Sequence, residues 1–299
     1  VALEAGDEPG PAAVAPDATF GVALGGVFAL LFTTSAGSIL ARVPTCRAPR
    51  GVAFDAADGA FHVACADGDL WSFDAGSHAP VRKLRVAEDL RDVIATGDRL
   101  LVSTFRSAEV FAVSRDGVVT GASRAASAGA EMVPTVAWRM QPLPGGGALM
   151  VHQSATSASI EIAPPTEGFD SPAYGGDLGS DDCEGAILVS ATSVFDAEGN
   201  RVTAEGLARL GSLGLPVDIA VSPSFAVVAV VSAGNDQVVE VPAGLLGSST
   251  CFGPSPDNHF ATDPIAAAYV GEVLVVQQRS PSALVVFDGA PGEGPRTIP

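Results

Sequence analysis

Short apolar runs alternate along this chain with proline, glycine and acidic punctuation, and the same order of pieces returns again and again. Each copy opens on a turn or proline, a small or acidic residue, and then an apolar strand. The openings are Pro49-Arg50-Gly51-Val52-Ala53-Phe54, Leu90-Arg91-Asp92-Val93-Ile94, Pro134-Thr135-Val136-Ala137-Trp138, Pro216-Val217-Asp218-Ile219-Ala220 and Asp263-Pro264-Ile265-Ala266-Ala267. A second apolar strand follows each one, at Phe61–Cys65, Leu100–Thr104, Leu149–His152, Phe225–Val231 and Val273–Val276. Third strands end in an aromatic or valine before a polar residue, as in Leu70–Asp74, Val110–Ser114 and Leu284–Asp288. Outer strands such as Val81–Val86 and Val118–Ser123 complete several units. Helical periodicity is nearly absent, and Leu207–Leu215 is too rich in glycine to be read as a helix.

The openings are spaced by about 41, 44, 82 and 48 residues, within or near twice the period of about 40–50 expected of propeller blades. The prediction is an all-β chain, a single β-propeller of four-stranded antiparallel blades. Six blades are recognisable, Phe20–Val43 being the first, and a closed ring of seven is the expectation. The long step either hides a seventh blade or carries an insertion, and the insertion is the favoured reading. Residues 1–17, rich in Ala, Pro, Gly and acid, read as a flexible leader, and residues 18–299 as the propeller. Two loops, 163–184 and 246–263, interrupt the rhythm, and loops of that length inside a compact domain usually serve function or move.

Composition narrows the partners. Sixteen basic against thirty-four acidic side chains leave a net charge of −18, which opposes phosphate backbones and anionic lipid surfaces. The most apolar run, Phe20–Thr33, is shorter than the roughly 18–20 residues a helical span needs. Nucleic acid and membrane are therefore poor partners. Lys83 is the single lysine, and no glycine-rich phosphate loop surrounds it. The sequence contains no G-x-S-x-G elbow, H-E-x-x-H helix, Walker A loop or EF-hand loop. His62 alternates with Phe61 and Val63, the pattern of a packed strand histidine.

Cys46, Cys65, Cys183 and Cys251 allow three pairings, and none forms C-x-x-C or C-x-x-C-H, so no covalent haem is expected on this chain. Strand parity selects among the pairings. In antiparallel blades, loops between second and third strands share a face with the loops that join blades. That rule brings Cys46 to Cys65 and Cys183 to Cys251, two disulfides that point to a periplasmic or extracellular protein.

Parity gathers polar residues on the same face. Arg106, His152, Gln153, Gln278 and Arg279 follow second strands and are the candidates for binding a partner. Arg50, Arg91, Asp92 and Asp218 begin inner strands, nearest the channel. Asp177, Asp181, Asp182 and Glu184 are the candidate calcium ligands, since calcium takes several oxygens from flexible loops; the plainer reading is a solvated acidic loop.

The repeats resemble those of YVTN/NHL-type β-propellers, a group with lactonase-like members. Trp138-Arg139-Met140, Pro144-Gly145-Gly146-Gly147, Val151-His152-Gln153 and Val276-Gln277-Gln278-Arg279-Ser280-Pro281 resemble, more narrowly, exported bacterial propellers that precede a di-haem cytochrome c peroxidase-like domain. The resemblance implies a non-enzymatic binding or scaffold module for a protein partner, such as a c-type cytochrome or peroxidase module. The haem-bearing part is not among these residues. An alternative is a metal-assisted, lactonase-like hydrolase using Asp92, Asp218 and Asn235 in the channel; another is a structural subunit of a surface assembly.

Overall fold

The computed structural model describes residues 3–159, 187–202, 208–211, 213–248, 250–252, 259–288 and 295–299. Its strands fall into six antiparallel sheets in chain order. The first holds β1 (Pro9–Val14), β2 (Thr19–Leu24), β3 (Ala29–Thr34) and β4 (Ile39–Pro44). The second holds β5 (Pro49–Asp55), β6 (Ala60–Cys65), β7 (Asp69–Asp74) and β8 (Pro80–Arg85). The third holds β9 (Leu90–Thr96), β10 (Arg99–Thr104), β11 (Glu109–Ser114) and β12 (Val119–Arg124).

The fourth sheet holds β13 (Met132–Pro142), β14 (Ala148–Thr156) and β15 (Leu188–Phe195). Isolated bridges pair Ala191 with Arg209 and Phe195 with Arg201 beyond β15. The fifth holds β16 (Pro216–Val221), β17 (Val227–Ser232), β18 (Gln237–Pro242) and β19 (His259–Phe260), and the sixth β20 (Pro264–Val270), β21 (Val273–Gln278), β22 (Ala283–Phe287) and β23 (Arg296–Ile298). Six sheets replace the expected seven. The 82-residue step is one unit, with the segment between β14 and β15 inserted into it.

The chain divides into two compact units, and the boundary falls within the fourth sheet. One comprises Val1–Arg124, Arg139–Leu149 and Phe195–Val202, the other Ala125–Trp138, Met150–Val194 and Thr203–Pro299. In the first unit, neighbouring sheets bury their faces against one another. Leu30 and Phe32 of the first sheet meet Val52, Phe61, Val63 and Phe73 of the second. Phe32 and Phe61 pack edge to face with centroids 5.4 Å apart, a preferred aromatic geometry. Ala53, Ala64 and Leu70 in turn face Leu90, Val93, Leu100 and Val113 of the third sheet. In the second unit Ala229, Val231 and Val238 cover Leu274, Val276 and Val285 in the same way.

This stacking explains why the alternation seen in half-exposed strands is missing from the middle ones. β6 is buried at every position, because each of its faces meets another sheet, whereas the outer strands β4, β8 and β12 are largely exposed. The stretch expected as a flexible leader is corrected in part. Pro9–Val14 is β1, paired with β2 and filling the inner place of the first sheet.

One backbone device recurs where inner strands begin. Pro49 pairs with Cys65 and Gly51 with Ala64, so Arg50 is an extra residue opposite none. Leu90 pairs with Thr104 and Asp92 with Ser103, leaving Arg91 in the same position. Val217 and Ile265 are skipped likewise in β16 and β20. Such bulges re-aim the extra side chain at the end of a sheet. Preceding them, Ala48, Asp89, Leu215 and Asp263 all adopt positive φ of 50–57°. Their carbonyls accept from the N–H groups of Ala66, Phe105, Ala233 and Arg279, closing the end of each hairpin.

The bulge also sets the next position. Asp92 and Asp218 follow it, and each carboxylate reaches the neighbouring inner strand, accepting from Met140 N–H at 2.9 Å and from Ala267 N–H at 2.9 Å. Gly51 holds the corresponding place in β5. A Cβ there would sit 2.6 Å from both the Asp92 Cα and its Oδ1, so only glycine admits the approach.

Cys46, in the β4–β5 connection, and Cys65, at the end of β6, form a disulfide with Cα atoms 6.0 Å apart. Cys251 is also disulfide-bonded, while its expected partner Cys183 lies outside the described residues. Closing a loop of about 20 residues restricts the unfolded chain by about 3 kcal/mol. The double replacement Cys46→Ala with Cys65→Ala is expected to lower stability by about that amount, read as a shift in urea midpoint; an unchanged midpoint would count against it.

Candidate functional site

The bulges at Arg50 and Arg91 aim two guanidinium groups at one ring. Arg50 Cζ lies 5.3 Å and Arg91 Cζ 5.4 Å from the centroid of Phe105, the residue that follows β10. The electron-rich face of the ring attracts both cations and holds them in place. Asp89 completes the group. Its positive φ turns the carboxylate toward Arg50, whose Nη1 donates to Asp89 Oδ1 at 2.5 Å. Arg50 Nη1 also reaches the Leu90 carbonyl at 3.5 Å. Arg106, in the turn after Phe105, places Nε 3.5 Å from the other Asp89 oxygen. The Arg106 side chain is 82% exposed and that of Arg50 only 25%, so the cluster has an anchored base and a solvent-facing tip.

Three of the sixteen basic side chains thus surround one phenylalanine in a chain of charge −18. Planar guanidinium groups present paired N–H donors that match a carboxylate. The arrangement can bind an anion. Arg106 was readable from strand parity. The convergence of Arg50 and Arg91 on Phe105 was not, although the repeated extra residue after Pro49 and Leu90 was a signal of the bulge that produces it.

The other partner-binding candidates lie elsewhere. Arg279 is exposed, 3.7 Å from Asp263. Gln278 is only 8% exposed, and its Nε2 donates to the Pro281 carbonyl at 3.1 Å. His152 and Gln153 are buried in β14 and present nothing to a partner. The expectation failed there because β14 runs to Thr156, beyond the predicted end at His152, which puts both residues in the middle of a covered strand. Trp138 Nε1 donates to Gln153 Oε1 at 3.1 Å, and Gln153 Nε2 to Ser190 Oγ at 3.4 Å. His152 Nε2 lies 2.9 Å from Ser193 Oγ, which accepts from Ala126 N–H. Burial lowers the His152 pKa to about 4.

The carboxylates of the hydrolase reading are occupied in holding backbone. Besides Met140 N–H, Asp92 accepts from its neighbour Val93 N–H at 3.0 Å and pairs with the Arg139 guanidinium at 3.3 Å. Asn235 Oδ1 accepts from Gly214 N–H and from Ser232 Oγ, pinning the connection before β16. The calcium candidates Asp177, Asp181, Asp182 and Glu184 lie outside the described residues.

A different group could hold a cation by ligand type. One atom each of Asp55, Asp58 and His62 lies within 4.8 Å of the others. Arg115 already supplies positive charge there, donating to both Asp55 and Asp58. His62 Nδ1 lies 2.9 Å from Ser72 Oγ, and burial lowers the His62 pKa to about 4. The Asp55 carboxylate opposes that shift, as does Asp58, and the Arg82 and Arg115 charges add to it.

With this geometry in hand, the chain can be placed by class. No family model matches the sequence, and no curated protein matches it. Solved structures do match, 1284 chains in all, a breadth that ties the likeness to architecture rather than to one activity. One is a chain in the crystal structure of the mitotic checkpoint complex, with a TM-score of 0.59 and 10% identity. The match covers 93% of this chain and 74% of that one. At that identity the likeness shows the fold alone. The protein is a six-bladed β-propeller, all-β, with the blades as antiparallel sheets.

Proposed function

We propose that this propeller is a non-enzymatic, exported module that binds or positions a protein partner through the Arg50–Phe105–Arg106 rim. The observation that carries the reading is the convergence of two bulge-directed guanidinium groups on Phe105, with Arg106 exposed beside them. A rigid cationic cluster on an acidic surface suits recognition, because charge complementarity selects orientation and partner. The similar chain from the mitotic checkpoint complex belongs to a multiprotein assembly, which agrees with a propeller used for binding. A disulfide supports the oxidising compartment of a periplasmic or extracellular protein. Among the described residues no helix is long and apolar enough to cross a membrane.

The partner suggested by the sequence resemblance is a c-type cytochrome or peroxidase module. Isolation at native expression level from the exported fraction tests this. The expected result is a complex larger than the chain that carries haem absorbance and is lost with Arg106→Glu. A monomer without haem absorbance would overturn the assignment of partner and role together.

A further inference from the structure

We infer that the Arg50–Arg91–Phe105–Arg106 cluster is a receptor for an acidic protein segment presenting Asp or Glu side chains. The inference rests on the binding reading above and names the chemistry of the same site. Arg50 and Arg106 share a single carboxylate, Asp89, so two cations are served there by one anion. Arg106 is mostly in solvent, and its planar fork is the part of the cluster that an incoming carboxylate meets first. Phe105 backs both Arg50 and Arg91, and the bulges fix where their side chains depart from the strands. The Arg50 and Arg91 base of the cluster is therefore in place before a ligand arrives, which lowers the entropic cost of binding.

Whole-chain charge sharpens the choice of ligand. At −18, an acidic segment is repelled by most of the surface, so binding depends on this cluster and not on diffuse attraction. A basic segment would be attracted to many places and would gain no specificity from Arg106. The site discriminates by being the exception to its surroundings.

The test uses the full chain and fluorescein-labelled hexaglutamate, followed by anisotropy at about 50 mM salt, where charge contacts are weakly screened. Saturable binding is expected, weakened about tenfold by Arg106→Gln and abolished by Arg106→Glu. Arg296→Gln, which removes an exposed arginine outside the candidate set, is expected to leave binding unchanged, and Arg50→Lys to weaken it because an ammonium lacks the paired donors. Circular dichroism of each variant separates lost binding from lost fold. Absence of saturable binding by the unmodified chain would overturn the proposal, as would equal weakening by Arg106→Gln and Arg296→Gln. Inorganic phosphate displacing the peptide at lower concentration than free glutamate would also overturn it, marking a phosphate site instead. Hexaglutamate binding by a chain that isolates alone would retain this site and remove the partner reading. A native partner insensitive to Arg106→Glu would do the reverse.

Discussion

Replacing Asp92 by alanine is expected to destabilise the protein by about 3–5 kcal/mol, the range for removing one member of a buried ion pair. Asp92 is 2% exposed and joins the third sheet to the fourth. One oxygen accepts from Met140 N–H, and the carboxylate pairs with Arg139. Alanine would leave a buried N–H without its acceptor and remove the carboxylate that pairs with Arg139, both without compensating packing. Asp92→Asn is expected to cost less, since an amide oxygen still accepts from Met140 N–H while the charge is lost. Urea unfolding of the three proteins measures the series. A cost below about 1 kcal/mol for Asp92→Ala would show that the carboxylate is not a structural staple. It would also restore interest in the hydrolase reading, under which loss of Asp92 removes activity and spares the fold.

Acid is expected to weaken the fold well before most carboxylates titrate. His62 and His152 are 1% and 0% exposed, and burial lowers each pKa from 6.5 to about 4. Below pH 6.5 the unfolded chain takes up these protons while the folded chain does not. Stability from the neutral rings is therefore complete above pH 6.5, falls as pH drops toward 4, and levels off below it. The loss approaches about 3 kcal/mol per histidine, from the energy of a pKa shift of this size. Carboxylates held below their usual range, such as Asp74 by hydrogen bonds from Ser77, extend the decline at still lower pH. Melting temperature between pH 7.5 and pH 4.5 tests this, with His152→Gln expected to reduce the slope. A flat profile across that interval would exclude both rings as the cause.

Asp92 and His152 were candidates for chemistry or binding in the sequence, His62 a packed strand histidine, and the structure buries all three for one reason. β6 and most positions of β9 and β14 are buried, so polar groups on them must find internal partners. Asp92 finds a neighbouring strand, Gln153 finds Trp138 and Ser190, and His152 finds Ser193. Arg106 escapes because it stands in a turn beyond the end of β10.

The repeated opening before each inner strand was enough to establish the all-β class, the order of strands and the meeting of Cys46 with Cys65. These depend on local pattern and on the direction of antiparallel hairpins, both of which are written along the chain. Tertiary structure decided the number of blades, because a long insertion and a missing unit have the same length in sequence. It also decided which polar residues reach solvent. The side chains of Arg50, Arg91 and Phe105 come together only when two sheets stand side by side with their bulges in step, a relation between segments some forty residues apart that no local pattern encodes.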